Sequence, residues 1–283
     1  MTHRRMGTLY VVATPIGNLG DLGTRAAEIL GSVSRIAAED TRHSSRLLGR
    51  LGIRVPMLSL HEHNEAARVT QLRQYLEAGE DVALISDAGT PLISDPGFIV
   101  VRELRAQTYP VVPVPGPSAL ITALSGAGLP TDRFRFGGFL PARSGPRRQA
   151  LEALQERDET LVFYETPHRI RHTLDTLEAV MPDRHLVLAR ELTKTFETFL
   201  SGTPAALSEQ LRDDPDQARG EFVVMIAGAT PQADHEQQNL SADALLAALL
   251  AEGVGVKQGA AVAARLLGGR KQVWYARLQA LKE

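Results

Sequence analysis

Cysteine is absent from the 283 residues. That excludes disulfides, thiol catalysis and every cysteine-ligated zinc or iron–sulfur centre. Aromatic side chains are scarce, 5% of a chain that is 43% hydrophobic, so any core rests on Ala, Leu, Val and Ile. Neither sign of charge dominates. A net charge of −2 argues against coating nucleic acid by bulk charge, but leaves room for local basic patches that meet phosphate. No apolar run approaches the roughly 20 residues that span a bilayer, and residues 1–7 lack the apolar core of a signal peptide. The expectation is a soluble, cytoplasmic protein. Two phosphate-binding signatures are also missing: neither G-x-G-x-x-G nor G-x-x-x-x-G-K-[ST] follows a strand-like run. An uncharged-backbone nucleoside suits such a chain better than a dinucleotide or a nucleoside triphosphate.

What is present is an alternation of short apolar runs with helical patterns. Strands are expected at 9–13, 35–39, 82–85 and 111–114, and helices at 22–32, 64–77 and 99–106. The pattern restarts with a helix at 118–126, then strands at 134–139, 160–164, 185–189 and 221–227 and helices at 147–156 and 170–180. This predicts an α/β fold with mostly parallel sheets covered by helices on both faces. The divisions are an N-terminal α/β domain over 1–116, a second over 117–230, a polar linker at 229–239 and a helical unit over 240–283. In that last unit, Ser241 reads as the cap of a helix reaching Leu250, with Asp243 in its first turn. Ala261, Ala264 and Leu267 lie at helical spacing, Gly268-Gly269 breaks the chain, and Val273, Trp274 and Leu278 mark a final helix. Two helices about a tight glycine turn resemble a helix-turn-helix unit.

Ligands of open parallel sheets bind at the carboxyl ends of the strands. Four turns dense in Gly, Pro and Asp follow strands here: 14–18, 40–42, 86–97 and 115–118. They should converge on one crevice. The longest, Ser86 to Gly97, combines Gly89 and Gly97 with Pro91 and Pro96, and its Asp87 and Asp95 can accept hydrogen bonds from ribose hydroxyls or an ammonium group. His61 and His63, or His168 and His172, invite a metal reading, but neither pair has a third ligand at a recognisable spacing, and no metal is expected. The basic stretch Arg143 to Arg148 reads either as a solvated connector or as a contact for RNA backbone. Glu191 and Lys194 follow a strand, where they form either a surface ion pair or a phosphate contact.

These turns carry a resemblance. Thr14-Pro15-Ile16-Gly17-Asn18-Leu19, Ala38-Glu39-Asp40-Thr41-Arg42, Ser86-Asp87-Ala88-Gly89-Thr90-Pro91, Ser94-Asp95-Pro96-Gly97, Pro115-Gly116-Pro117-Ser118 and Ala189-Arg190-Glu191-Leu192-Thr193-Lys194 resemble the small-subunit ribosomal RNA methyltransferase I family of the tetrapyrrole methylase superfamily, in order and over nearly the whole chain. The resemblance implies two α/β domains with S-adenosylmethionine in the cleft between them, and a homodimer. It implies methylation of a cytidine ribose 2′-hydroxyl in 16S ribosomal RNA at the decoding centre, with neither DNA nor membrane as partner. Donor contacts are implied at Pro15, Gly17, Asp87, Ala88, Gly89, Thr90, Ile93, Asp95, Ser118, Ala119, Phe163, Tyr164, Glu165 and Leu192.

A ribose hydroxyl is a poor nucleophile until a base draws off its proton. Glu39, Asp40, His61, His63, Glu65 and Glu191 are the candidates, with Arg42 and Lys194 available to orient a phosphate. The Asp40/Arg42 and His61/His63 segments are favoured. Two rival readings stand beside this one: a methylase of a tetrapyrrole-like small molecule, and a non-catalytic RNA-binding protein. The basic loop and the C-terminal helices favour RNA over the first. The dense 86–97 loop is unexplained by the second.

Overall fold

The computed structural model describes residues 5–229 and 242–282. The linker expected at 229–239 (Ala229 apart), the Ser241 cap and the side chain of Asp243 lie outside the described residues. The chain divides into two compact units, Met1–Ala229 and Thr230–Glu283.

The first unit holds two five-stranded sheets. In the first, β1 (Leu9–Val12), β2 (Arg35–Ala38), β3 (Met57–Ser59), β4 (Val82–Ile85) and β5 (Val111–Val114) run in the order β3-β2-β4-β1-β5, every pair parallel. The runs are largely apolar because both faces are covered. Helices α1 (Thr24–Ser32) and α2 (Thr41–Arg50) bring Leu30 and Leu48 against Ile36, Ala38 and Ile85. Helices α3 (Glu65–Glu77) and α4 (Phe98–Ala106) bring Leu72, Leu76, Val100 and Leu104 against Ala37 and Leu84 on the other face. The chain leaves β1 towards one face and β4 towards the other. The carboxyl ends of these neighbours are therefore the switch point at which such sheets open a crevice.

The second sheet departs from expectation. Strands β6 (Phe134–Phe139), β7 (Thr160–Glu165), β8 (Leu186–Arg190), β9 (Thr198–Gly202) and β10 (Phe222–Ile226) lie in the order β6-β7-β10-β8-β9, and only β6 and β7 are parallel. The link from β8 to β9 is too short for a crossover, so the two pair as a hairpin, and β10 inserts antiparallel between β7 and β8. Helix α5 (Ala119–Gly126) covers one face; α6 (Ser144–Glu152), α7 (Ile170–Val180) and α8 (Pro204–Asp213) cover the other. The basic stretch is no loop. Arg147 lies within α6, 5% exposed, donating to the Thr176 hydroxyl and the Ala142 carbonyl, and Arg148 pairs with Glu152 one turn on.

The second unit is three helices: α9 (Ala242–Ala251), α10 (Val256–Leu267) and α11 (Lys271–Lys282). Leu246, Ala260, Ala263 and Leu278 form its core, and Gly259 admits the Leu278 side chain. Gly268 and Gly269, both at positive φ, make the turn, and the Trp274 indole donates to the Gly268 carbonyl at 2.6 Å. The buried stripe of α10 is Gly259-Ala260-Ala263, so the expected contacts Ala261 and Leu267 are exposed, and Val273 is exposed on α11. Glycine at 259 is a packing residue that a search for apolar side chains passes over. Among the described residues no helix is long and apolar enough to cross a membrane.

Candidate active site in the intersheet cleft

A cavity of about 260 Å³ lies between the two sheets, near the lower end of the roughly 300–1,000 Å³ range of small-molecule sites. From the first half it takes Ile16, Ala88 to Thr90 and Ile93 to Asp95, and from the segment that leads into the second it takes Ser118 and Ala119. From the second it takes Phe139, Tyr164 to Thr166, Ala189, Leu192 and Glu221 to Val223.

Hydrogen bonds join the loops that build this wall. Thr14 and Gly89 exchange backbone bonds of 2.8 and 3.0 Å across the switch point, the buried Thr14 hydroxyl donates to the Ser86 carbonyl, and the Thr90 hydroxyl donates to the Pro117 carbonyl. Gly89 sits at φ +77°, and two non-glycine residues of the same loop, Leu92 and Ser94, are also left-handed. Backbone strain of this kind persists only where surroundings enforce it. Part of that enforcement is Glu65, whose buried carboxylate accepts from the Gly97 and Ile99 amides and so caps α4 from another helix. On the opposite wall, the Leu120 amide donates to the Tyr164 hydroxyl, and Phe139 and Phe136 stand edge-on to the Tyr164 ring. A bulge after Phe136 brings Gly137 over the Phe163 ring, where a side chain would collide.

Ten of the fourteen residues that the sequence points to as donor contacts line the cavity: Ala88, Gly89, Thr90, Ile93, Asp95, Ser118, Ala119, Tyr164, Glu165 and Leu192. The other four stand behind the wall. Phe163 belongs to the core beneath the second sheet. Gly17 lies under the stem of Lys194, Pro15 is the neighbour of Ile16, and the Asp87 carboxylate accepts from the Asp40 amide at 3.1 Å. Glu165 reaches the wall with its oxygens engaged by the Thr166 amide, the Thr173 hydroxyl and Arg169. Ile16, Ser94, Phe139, Thr166, Ala189 and Glu221 to Val223 line the cavity without having been anticipated. Gly137-Gly138 within an aromatic strand was the one signal for Phe139.

The proposed proton-transfer residues separate. Asp40 caps α2 through the Arg42 amide and pairs with the Arg42 guanidinium, whose hydrogen bond holds the carboxyl below its ordinary range. His61 Nε2 meets the Asn64 amide nitrogen, and that amide is oriented by the His61 N–H and the Ser59 carbonyl, so Nε2 is already an engaged acceptor. His63 is exposed beside Glu62. Glu191 and Glu221 share Lys194 at 2.9 and 2.8 Å. Burial opposes ionisation of Glu191, but the Lys194 hydrogen bond and charge, the Glu221 amide and the Arg190 charge together outweigh it and the pKa falls. Glu65 is a cap. Two carboxyls are pushed the other way. Asp95 on the wall is raised by burial, with the Asp87 charge adding to it and a Ser86 hydrogen bond opposing. Glu39, just past the end of β2, is raised by burial and by Asp95 and Asp87. Among the described residues no group of three metal-ligating side chains occurs.

The wall is mostly apolar, holds Asp95, Glu165 and Glu221, and has no Lys or Arg. Glu165 and Glu221 are paired with Arg169 and Lys194 behind the wall, which leaves Asp95 as its unpaired carboxyl among the described residues, so the lining suits a largely apolar ligand and offers no cation to a phosphate chain.

Residues 8–208 match the family described as Tetrapyrrole (Corrin/Porphyrin) Methylases, and residues 236–282 match the RsmI C-terminal HTH domain. Proteins named ribosomal RNA small subunit methyltransferase I are 53% identical in Pseudomonas aeruginosa, 49% in Haemophilus influenzae and 47% in Escherichia coli. Coverage is 95% of this chain in each comparison and 95%, 95% and 93% of the relative. Among solved structures, the methyltransferase CobJ is similar at TM-score 0.58 and 18% identity, covering 79% of this chain and 95% of that one. Diphthine synthase is similar at 0.59 and 15%, covering 78% and 90%. At those identities the likeness concerns the fold.

Proposed function

This chain belongs to the tetrapyrrole (corrin/porphyrin) methylase family, and on that footing we propose that it methylates small-subunit ribosomal RNA, as its relatives are named for doing. The finer reading is transfer from S-adenosylmethionine to the ribose 2′-oxygen of a decoding-centre cytidine in 16S rRNA, by a homodimer. One observation carries the donor reading: a largely apolar, cation-free cavity at the strand switch point, closed by the second sheet. When bound, the donor supplies an electrophilic methyl on an excellent leaving group. What remains for the protein is alignment and proton removal. Asp95, Ser118 and the backbone of Ala88 to Thr90 hold the donor's polar groups. Ile16, Ile93, Tyr164 and Leu192 exclude water from its rings and methyl. Within the first unit, the boundary we propose between halves is 116/117.

The test has two arms. S-adenosylmethionine is titrated calorimetrically, and small subunits are then compared with a porphyrin precursor as acceptor. Incorporation into 16S rRNA that renders one phosphodiester resistant to alkali supports ribose methylation. Transfer to the tetrapyrrole alone would replace the RNA reading, and no donor binding would end the enzymatic one.

The C-terminal unit is proposed to hold RNA backbone. From Gly253 to Lys282 it carries Lys257, Arg265, Arg270, Lys271, Arg277 and Lys282 and no acid, with Lys257, Arg270, Lys271 and Tyr275 around one groove. Replacing Lys257, Arg270 and Lys271 by Gln is expected to weaken small-subunit binding and reduce its salt slope by about 0.7 for each phosphate that is no longer neutralised. Donor affinity should hold. An unchanged salt slope would assign these helices to packing alone.

A further inference from the structure

We propose that Glu39 is the general base that takes the proton of the acceptor hydroxyl, an inference that rests on the methyl-transfer reading above. Its placement is the argument. β2 and β4 are adjacent parallel strands, with Ala38 level with Ile85, so Glu39 emerges at the carboxyl edge beside the root of the 86–97 loop. There one hydrogen bond clasps the two chain segments together, the Asp40 amide donating to the Asp87 carboxylate at 3.1 Å, and the Asp87 backbone favours the charged form of the neighbouring Glu39 carboxyl. The clasp fixes Glu39 beside the loop that lines the cavity without capping a helix, and among the described residues no cation is paired with it. Of the other acidic or imidazole candidates, Asp40 and Glu65 cap helices, Glu191 holds Lys194 and His61 accepts from Asn64, while His63 lies exposed on the surface beside Glu62.

The electrostatics suit the task. Burial, Asp95 and Asp87 from the 86–97 loop, and Glu62 from the segment after β3 all favour the protonated form, opposed by the Asp87 backbone. A carboxylate made more basic in this way is a better proton acceptor near neutral pH. The proton balance is simple. The O–H bond of the 2′-hydroxyl breaks and its proton passes to Glu39. The oxygen lone pair forms the new O–CH₃ bond, and the electrons of the broken C–S bond stay on sulfur. Glu39 then loses the proton to solvent.

The test uses the full chain with Glu39→Gln, which keeps an oxygen beside the Asp87 backbone. Single-turnover methylation of small subunits should fall about 100-fold or more, with the Kd for S-adenosylmethionine within about twofold. The wild-type rate should decline as pH falls through the raised pKa, and the residual rate of the variant should lack that limb. Melting supplies a readout independent of activity. A carboxyl raised by the fold costs stability where it is ionised, above its folded pKa, and costs nothing below the unfolded value. Glu39→Gln should therefore melt higher than wild type at pH 8 and equally at pH 4. A variant that methylates at the full rate, that loses donor affinity in step with rate, or that melts lower at pH 8 overturns the assignment. A wild type that binds donor yet transfers nothing to small subunits overturns the RNA reading, and the base with it. An active wild type beside an equally active variant overturns Glu39 alone.

Discussion

Gly89→Val is expected to weaken S-adenosylmethionine binding at least tenfold, about 1.4 kcal/mol, in a protein that still folds. Gly89 lies on the cavity wall at φ +77° and makes the backbone bridge to Thr14 that joins the two switch-point loops. Valine resists that conformation, since its branched Cβ meets the backbone there. The new side chain would also press on Ile16 and approach the Pro117 carbonyl. The residue stands in a loop, so the change leaves the packing of both sheets intact. Its effect should fall on the shape of the wall. Calorimetric titration reads it directly, and an affinity equal to wild type would move the donor site out of this cleft.

Removing the Glu65 carboxylate should cost the most in stability. Glu65→Ala strips acceptors from two amides, Gly97 and Ile99, at the start of α4, and the Glu65 side chain is itself buried. Unsatisfied buried donors cost roughly 1–3 kcal/mol each, and the positive end of the helix loses its compensating charge. A loss of about 3 kcal/mol is expected, seen as a lower urea midpoint with an unchanged m-value. Because Gly97 ends the donor loop, affinity for the donor should drop as well. An unfolding free energy within about 0.5 kcal/mol of wild type would show that water replaces the carboxylate there.

Four of the five strands of the first sheet were legible because each is a short, largely apolar run between breakers, and their parallel pairing follows from helices that alternate with them. Helix α2 was not, because its only buried residues are Ser44 and Leu48, too thin a stripe to register as a period. β3 has three residues and β9 alternates at a sheet edge, and without β9 and α8 the second half read as a continuation of parallel topology. The crevice itself was readable from breakers placed after strands. The assignment of single side chains was not. Asp40, Glu65 and Arg147 look like chemistry in one dimension, and their partners at Arg42, Gly97 and Ala142 show them fastening backbone. A polar residue's role depends on who else reaches it, and that is a three-dimensional fact. Glu39 was one name among six until the clasp with Asp87 and the engagement of its rivals set it apart.

The pairing of β1 also has a consequence in time. Leu9 lies level with Val82 on one side and Val111 on the other, so an inner strand of the first sheet is made before both of its partners, which follow roughly 70 and 100 residues later. At about 5–20 residues per second, the leading strand waits some 5–20 s after leaving the ribosome before its second neighbour exists. Through that interval Leu9-Tyr10-Val11-Val12 is an apolar segment with at least one edge open, and both until β4 is made, the kind of surface that holdase chaperones protect and that crowded nascent chains share with one another. Slower decoding before Val111 should therefore lower the soluble yield of this protein, while the same delay after β5 should leave it unchanged.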